Sequence, residues 1–351
     1  MILLICFASS YIAEKGNTAT LRLFARWIVF LCLVLPAALR YETGTDYGNY
    51  VDIFLRMDSS TDYEIGWKYL NLIIKNYGLS VQWIFVISAI LIYYPICFKL
   101  NRKHFCISIV LYIILGFYFK SYNTLRQSIA VSFVLWAIID IEKKKYVRSV
   151  LLILVGYLFH ISVLFILPCL LISQIKLKGK WFPFAVLVVG LFLIIKVNVL
   201  EIVFNVLALA SHDFARYAGT WYANKMVIGT GLGILISLGS VALSCFFYSR
   251  IVTLYPSKKN VLNLTIIYIW TYFLAAQYII FGRLRDLFIF VPLLISGYAF
   301  EVARKYRIII QIVLIILTIL LFEYDISQQT RDTFSNEIYP YYSIFYNGEI
   351  K

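Results

Sequence analysis

Charge is scarce in this chain: Asp, Glu, Lys and Arg make up 14% of its 351 residues, against 62% hydrophobic and 18% aromatic. A soluble globular domain carries about 25% charged residues, so the shortage excludes that class and points to an integral membrane protein with many spans. Acids are the scarcer sign, 18 against 32 bases. HExxH, DxD and acidic triplets are missing, and neither a metal nor a cofactor is expected. Paired cysteines are missing too. Cys6, Cys32, Cys97, Cys106, Cys169 and Cys245 all lie in apolar runs without CxxC spacing, which reads as buried small hydrophobes and not as ligands or disulfides. No internal repeat or low-complexity segment occurs. A cleavable signal is not evident, because Met1 to Ala13 lacks a basic leading region. This stretch is shorter than the roughly 20 residues a span needs, and it is either a first helix completed by Glu14 to Ala19 or one trimmed by a late start codon.

What charge there is lies in a pattern. Nineteen of the 32 bases fall in six short clusters between apolar runs: Lys15/Arg22/Arg26, Lys99/Arg102/Lys103, Lys143/Lys144/Lys145/Arg148, Lys176/Lys178/Lys180, Arg250/Lys258/Lys259 and Arg304/Lys305/Arg307. Only four acids, Glu14, Asp140, Glu142 and Glu301, accompany them. Segregation of this kind is the positive-inside pattern. The net charge of +14 therefore reports topology and excludes nucleic acid as a partner. The expected architecture is an all-α polytopic membrane protein, one transmembrane domain over residues 1–351, with about 11–12 transmembrane or half-membrane helices around a cavity open on the side opposite the basic clusters.

With the basic clusters cytoplasmic, spans are expected near residues 23–39, 80–98, 105–119, 125–139, 181–197, 226–248, 261–281, 286–303 and 308–322. The apolar run 149–173 has basic clusters at both ends yet is too short for two crossings, which predicts two short helices broken near His160-Ile161-Ser162. Larger outer loops cover 40–79 and 198–225, and an aromatic-rich tail, 323–351, belongs among headgroups. Within the first loop, Leu70, Ile73, Ile74 and Tyr77 repeat at helical spacing. Thr61-Asp62-Tyr63-Glu64 has the form of a capping box at that helix's start. FGRLRD, residues 281–286, is expected as an outer turn.

Arg40, Asp46, Glu64, Arg126, His160, Arg216, Arg283 and Arg285 all map to the side opposite the basic clusters. Each also has a plainer reading: Asp46 as a helix N-cap, Glu64 as the capping partner of Thr61, Arg126 as a snorkelling side chain, His160 as a core histidine on a carbonyl. Arg283 and Arg285 are one residue apart, so at most one faces a shared site. The glycines of GTGLG, residues 229–233, read as close helix packing and not as a phosphate loop. Several guanidinium groups around one cavity suit an anionic ligand at the outer surface, because guanidinium grips phosphate bidentately and stays charged at depth. A lipid diphosphate is such a ligand.

The ordered set LRYETGTDYGNY, YEIGW, LRQSIA, FHIS, Arg216-Tyr217, GRLRDLF and YPYYSIF resembles the motifs of the EpsG-like family of Wzy-type exopolysaccharide and O-antigen polymerases. The resemblance implies a bacterial inner-membrane, multi-pass, metal-independent glycosyltransferase that joins undecaprenyl-diphosphate-linked repeat units at the periplasmic face, with membrane lipids as surroundings; the sequence leaves open whether it works alone or with a chain-length regulator protein. It carries over Arg40, Gly44, Asp46, Tyr50, Glu64, Arg126, Gln127, His160, Ser162, Arg216, Tyr217 and Arg283. Leu287 stands where the family pattern has a tyrosine, which leaves the register of Arg283 against Arg285 open. In this reading His160, Asp46 and Glu64, in that order, are the candidate bases. Arg40, Arg126, Gln127, Arg216, Tyr217, Arg283 and Arg285 are the candidate contacts to diphosphate or sugar. A flippase for the same lipid and a glycan-modifying membrane acyltransferase are the alternatives.

Overall fold

The computed structural model describes residues 1–174, 232–277, 281–303, 307–328 and 340–345. Among them the chain is helical apart from short 3-10 turns and one pair of two-residue strands. It divides into two compact units, residues 1–165 with 311–351, and residues 166–310.

In the first unit α1 (Ile2–Lys15) packs against α2 (Ala19–Ala38). α2 starts where the Thr18 hydroxyl accepts the Leu21 N–H at 3.1 Å, one of the donors a helix start leaves unsatisfied. With 20 residues and a mean hydropathy of 1.9 it is long and apolar enough to cross a membrane unaided. The chain then forms β1 (Arg40–Tyr41), α3 (Tyr47–Arg56), α4 (Ile65–Asn76) and α5 (Gln82–Phe98). The run expected as one span over 105–119 is two helices, α6 (Phe105–Ile114) and α7 (Phe117–Asn123), bent by 54°. The break falls at Gly116, whose φ of +76° a side-chain-bearing residue adopts only at a cost, and nothing lies within 4 Å of where its Cβ would stand. Hydropathy is blind to this, because both halves are equally apolar.

α8 (Leu125–Glu142) and α9 (Tyr146–Phe159) pack closely, with the Ala130 carbonyl oxygen 3.0 Å from the place a Gly156 Cβ would take. α9 ends where expected: His160 is extended, and a 3-10 turn over Ile161–Phe165 follows. The unit is completed by most of α16 (Arg307–Gln328) and by β2 (Tyr342–Ser343), which pairs antiparallel with β1 in the register Arg40 to Ser343 and Tyr41 to Tyr342. Leu31 and Leu35 on α2, Leu151 and Leu154 on α9, and Ile312, Ile316 and Leu320 on α16 are exposed apolar side chains suited to lipid.

The second unit holds α10 (Ile166–Ser173), α11 (Leu232–Phe246), α12 (Tyr248–Leu254), α13 (Lys259–Gln277), α14 (Phe281–Leu287) and α15 (Phe290–Val302). Asn263 ties three of them, donating to the Ser173 carbonyl at 2.6 Å and accepting from the Tyr248 hydroxyl at 2.8 Å. FGRLRD is not a turn but most of α14, and the expected span over 286–303 is interrupted at Phe288-Ile289. The expected span 181–197, the loop 198–225 and GTGLG up to Gly231 lie outside the described residues.

Candidate functional site

Within the first unit the helices have two unlike ends. At one, Arg26 on α2 donates to the carbonyl of Cys97, an orphan acceptor in the last turn of α5, and to that of Leu100 just beyond it, and stacks 4.2 Å from the Phe105 ring. Lys99 and Arg148 lie over the Trp136 ring at 4.3 and 5.6 Å, and Arg148 pairs with the buried carboxylate of Asp140. This is the end of the basic clusters. α2, α5, α8 and α9 each run between it and the other end, where α2 delivers Arg40, α8 begins with Leu125 and Arg126, and α9 delivers His160. The 18 residues of α8 set the two ends about 27 Å apart.

Arg40 is 1% exposed. Its guanidinium lies 4.7 Å from the Phe85 ring and 4.8 Å from the Tyr122 ring, and its Nη1 donates to the Thr43 carbonyl at 3.2 Å. Nε and Nη2 are buried and meet no acceptor among the described residues. Burial pulls its pKa below the ordinary guanidinium value while Tyr122, Tyr93, Tyr50 and Tyr47 pull it up. The loop after it closes through Gly44 at φ +98°, where a Cβ would stand 2.6 Å from Asn123 Oδ1 and 3.1 Å from Arg40 Nη1. Only glycine leaves room for that approach.

Tyr50 joins this loop to α8. Its hydroxyl donates to the Asn123 carbonyl at 3.0 Å and accepts from the Leu125 N–H at 3.0 Å, which satisfies one of the donors at the start of that helix. Burial pushes the phenol up to about 12, the positive charges of Arg126 and Arg40 opposing and the negative charge of Asp46 adding.

Arg126, second residue of α8, pairs with Glu64 at 2.6 Å and lies 5.2 Å from the Tyr63 ring. The two side chains keep 28% and 21% of their surface open, so the pair is reachable from outside the fold. Glu64 sits at the N-cap position of α4 without capping it, and the expected capping box does not form. Thr61 is taken instead by Asp58, whose Oδ1 accepts from the backbone and hydroxyl of both Ser60 and Thr61 at 2.7–2.9 Å. Those bonds hold the Asp58 carboxyl down at about 2. Asp46 is likewise at the N-cap position of α3 without a cap bond, and its Oδ1 accepts from Asn49 at 3.2 Å.

Gly66 brings α4 against the end of α9: a Cβ there would be 2.8 Å from the Leu158 carbonyl oxygen. Glu64 stands two residues before that contact and His160 two residues after it. The Nδ1 atom of His160 accepts the Ser162 N–H at 3.1 Å, so the neutral ring carries its proton on Nε2. Gln127 is buried beside Arg126 in sequence. Arg285, in the second unit, pairs with its neighbour Asp286 at 3.2 Å and lies 5.1 Å from the Tyr272 ring. Arg283 is partly exposed on the same short helix. Arg216 and Tyr217 lie outside the described residues. Three participants escaped the sequence reading, Tyr122, Asn123 and Thr43. All three flank motif residues, but no spacing rule marks them.

No cluster of three or more His, Cys, Asp or Glu side chains fit to hold a metal occurs among the described residues. What the geometry offers is a reachable guanidinium at the start of an 18-residue helix, where the dipole favours an anion, paired with a carboxylate. The EpsG family matches residues 23–343 of the chain. No curated protein and no solved structure matches it.

Proposed function

This chain belongs to the EpsG family, with a glycan-polymerase-like role in exopolysaccharide biosynthesis, and we propose that it is a multi-pass inner-membrane glycosyltransferase that polymerises undecaprenyl-diphosphate-linked repeat units at the periplasmic face. The observation that carries the reading is the Arg126–Glu64 pair, a cation reachable from outside and paired with a carboxylate, an anion of the kind that guanidinium grips as it grips phosphate. The three basic clusters that belong to this unit gather at its opposite end, which supports a periplasmic address for this one.

In the proposed reaction the diphosphate of the donor takes the place of Glu64 on Arg126. The acceptor sugar hydroxyl attacks the anomeric carbon, a new C–O bond forms, and the bond from that carbon to the diphosphate oxygen breaks with its electron pair going to the leaving group. Arg126 and the α8 N-terminus stabilise the charge that develops there. The hydroxyl proton passes to a carboxylate. Glu64, released by the exchange, is the base in this scheme, with Asp46 second. His160, its Nδ1 already an acceptor, offers the Nε2–H to a sugar or phosphate oxygen in place of the base role given to it on sequence grounds. Gln127, Arg216, Tyr217 and one of the alternatives Arg283 and Arg285 are proposed as further ligand contacts on the strength of the family motifs alone. Arg40 acts from beneath, as a buried positive charge.

Alanine at Arg126, Glu64 or His160 leaves cells with single repeat units in place of a polymer ladder while the protein still reaches the membrane. Full-length ladders from all three variants would refute the reading.

A further inference from the structure

The strand pair β1 and β2 joins residues some 300 positions apart, and it does so at the loop that carries Arg40. Two-residue strands add little to the stability of a membrane helical unit, so their placement matters more than their energy. Four contacts converge there. Ile344 N–H donates to the Leu39 carbonyl at 2.9 Å, and the Tyr341 hydroxyl donates to the Pro36 carbonyl at 3.0 Å. Both acceptors belong to the end of α2, where helix carbonyls lack partners of their own. The Thr43 hydroxyl accepts the Tyr342 N–H at 3.1 Å and lies 2.9 Å from the Tyr41 and 3.2 Å from the Tyr342 carbonyl oxygens, to either of which it donates. Thr43 also supplies, through its own carbonyl, the only acceptor that Arg40 Nη1 meets among the described residues. From the other side, Gln82 Nε2 reaches the Arg40 carbonyl at 3.3 Å and the Ala38 carbonyl.

We infer that the C-terminal segment Tyr341–Ile344 is a positioning element of the donor site, acting through the Thr43 hydroxyl to hold the Arg40–Gly44 turn against Tyr122 and Asn123. Tyr50, on the helix that follows this turn, is bonded to the Asn123 carbonyl and to Leu125 N–H, so a shift of the turn is passed to the start of α8 and to Arg126. A tail expected to sit among headgroups is thus built into the site. The inference rests on the polymerase reading for the identity of the ligand, not for the strand pairing.

The test uses the full chain in detergent, with undecaprenyl diphosphate as the probe for binding. Thr43→Val keeps the shape of the side chain and removes its hydrogen bonds, Thr43→Ser keeps the hydroxyl, and Tyr342→Pro removes the N–H. We expect Kd for the probe, and KM for the lipid-linked donor, to rise about tenfold in T43V and Y342P, the loss of about 1.4 kcal/mol. kcat and thermal stability should change little, and T43S should restore binding. Independently, a Tyr41→Cys/Tyr342→Cys pair should cross-link in membranes, and less so when T43V is added. Failure to cross-link, or unchanged Kd in both T43V and Y342P, overturns the positioning role. A protein that binds the probe in this Thr43-dependent way yet makes no polymer keeps the positioning role and loses the polymerase reading. A wild-type protein that does not bind the probe loses both.

Discussion

Arg126 is held by Glu64 in the structure, and this makes the two residues separable by experiment. Glu64→Gln removes a competitor for the guanidinium as well as the base. The expected outcome is therefore a donor KM that stays level or falls while kcat drops by about 10²–10⁴, the usual worth of a positioned general base. Arg126→Ala should instead raise KM and lower kcat together, because the cation serves both binding and the leaving group. Rates of polymer formation against donor concentration distinguish the two. The pairing also explains where residue-level reading failed. Thr61 and Glu64 have the spacing of a capping box, but Asp58, as many residues before Thr61 as Glu64 is after it, takes the Thr61 backbone N–H and hydroxyl, and Glu64 pairs with the Arg126 guanidinium instead. Local pattern lost to charge.

Among elements, the decisive contact is between α4 and α9 at Gly66. Alanine is ordinarily the better helix former by about 1 kcal/mol. Here its methyl group would meet the Leu158 carbonyl at 2.8 Å, a backbone atom that cannot swing aside. Gly66→Ala should lower stability by about 1–3 kcal/mol, as overpacking does, and should separate Glu64 from the end of α9. Thermal unfolding in detergent, read beside polymer yield, checks both effects.

The turn before α4 carries a pH dependence of its own. Asp58 has a folded pKa depressed to about 2 against an unfolded value near 3.9, so its contribution is complete above that value and is lost as pH falls through about 2. Amide exchange at Ser60 and Thr61 should stay protected from neutral pH to about 4, weaken progressively below it and open as pH falls through about 2, and Asp58→Ala should expose both at every pH.

Helix existence was readable from hydropathy nearly everywhere it can be compared. The interruptions at Gly116 and at Phe288-Ile289 were not, because no change in polarity accompanies them.

For the whole molecule, the charge pattern predicts that the two ends of the first unit face opposite compartments. Asn49 and Lys144 are both exposed, at the Arg40 end and at the basic turn respectively. Cysteine at Asn49 should react with an impermeant thiol reagent added outside intact cells, and cysteine at Lys144 only after the membrane is opened. The opposite pattern would remove the periplasmic address.

The sequence by itself determined the helical, apolar class of the protein, most of its described helices, the placing of Arg40, Arg126 and His160 at one end of the first unit, away from the basic turn, and the break at His160. All of these follow from the cost of placing charge or bare backbone in hydrocarbon, which is a local property of each stretch. Only the tertiary structure decided which partner each charge takes. It gave Glu64 to Arg126, laid the Arg40 guanidinium between Phe85 and Tyr122, set a backbone N–H on His160 Nδ1 and returned the tail to Thr43. Such choices depend on distances between residues far apart in the chain, which no periodicity records.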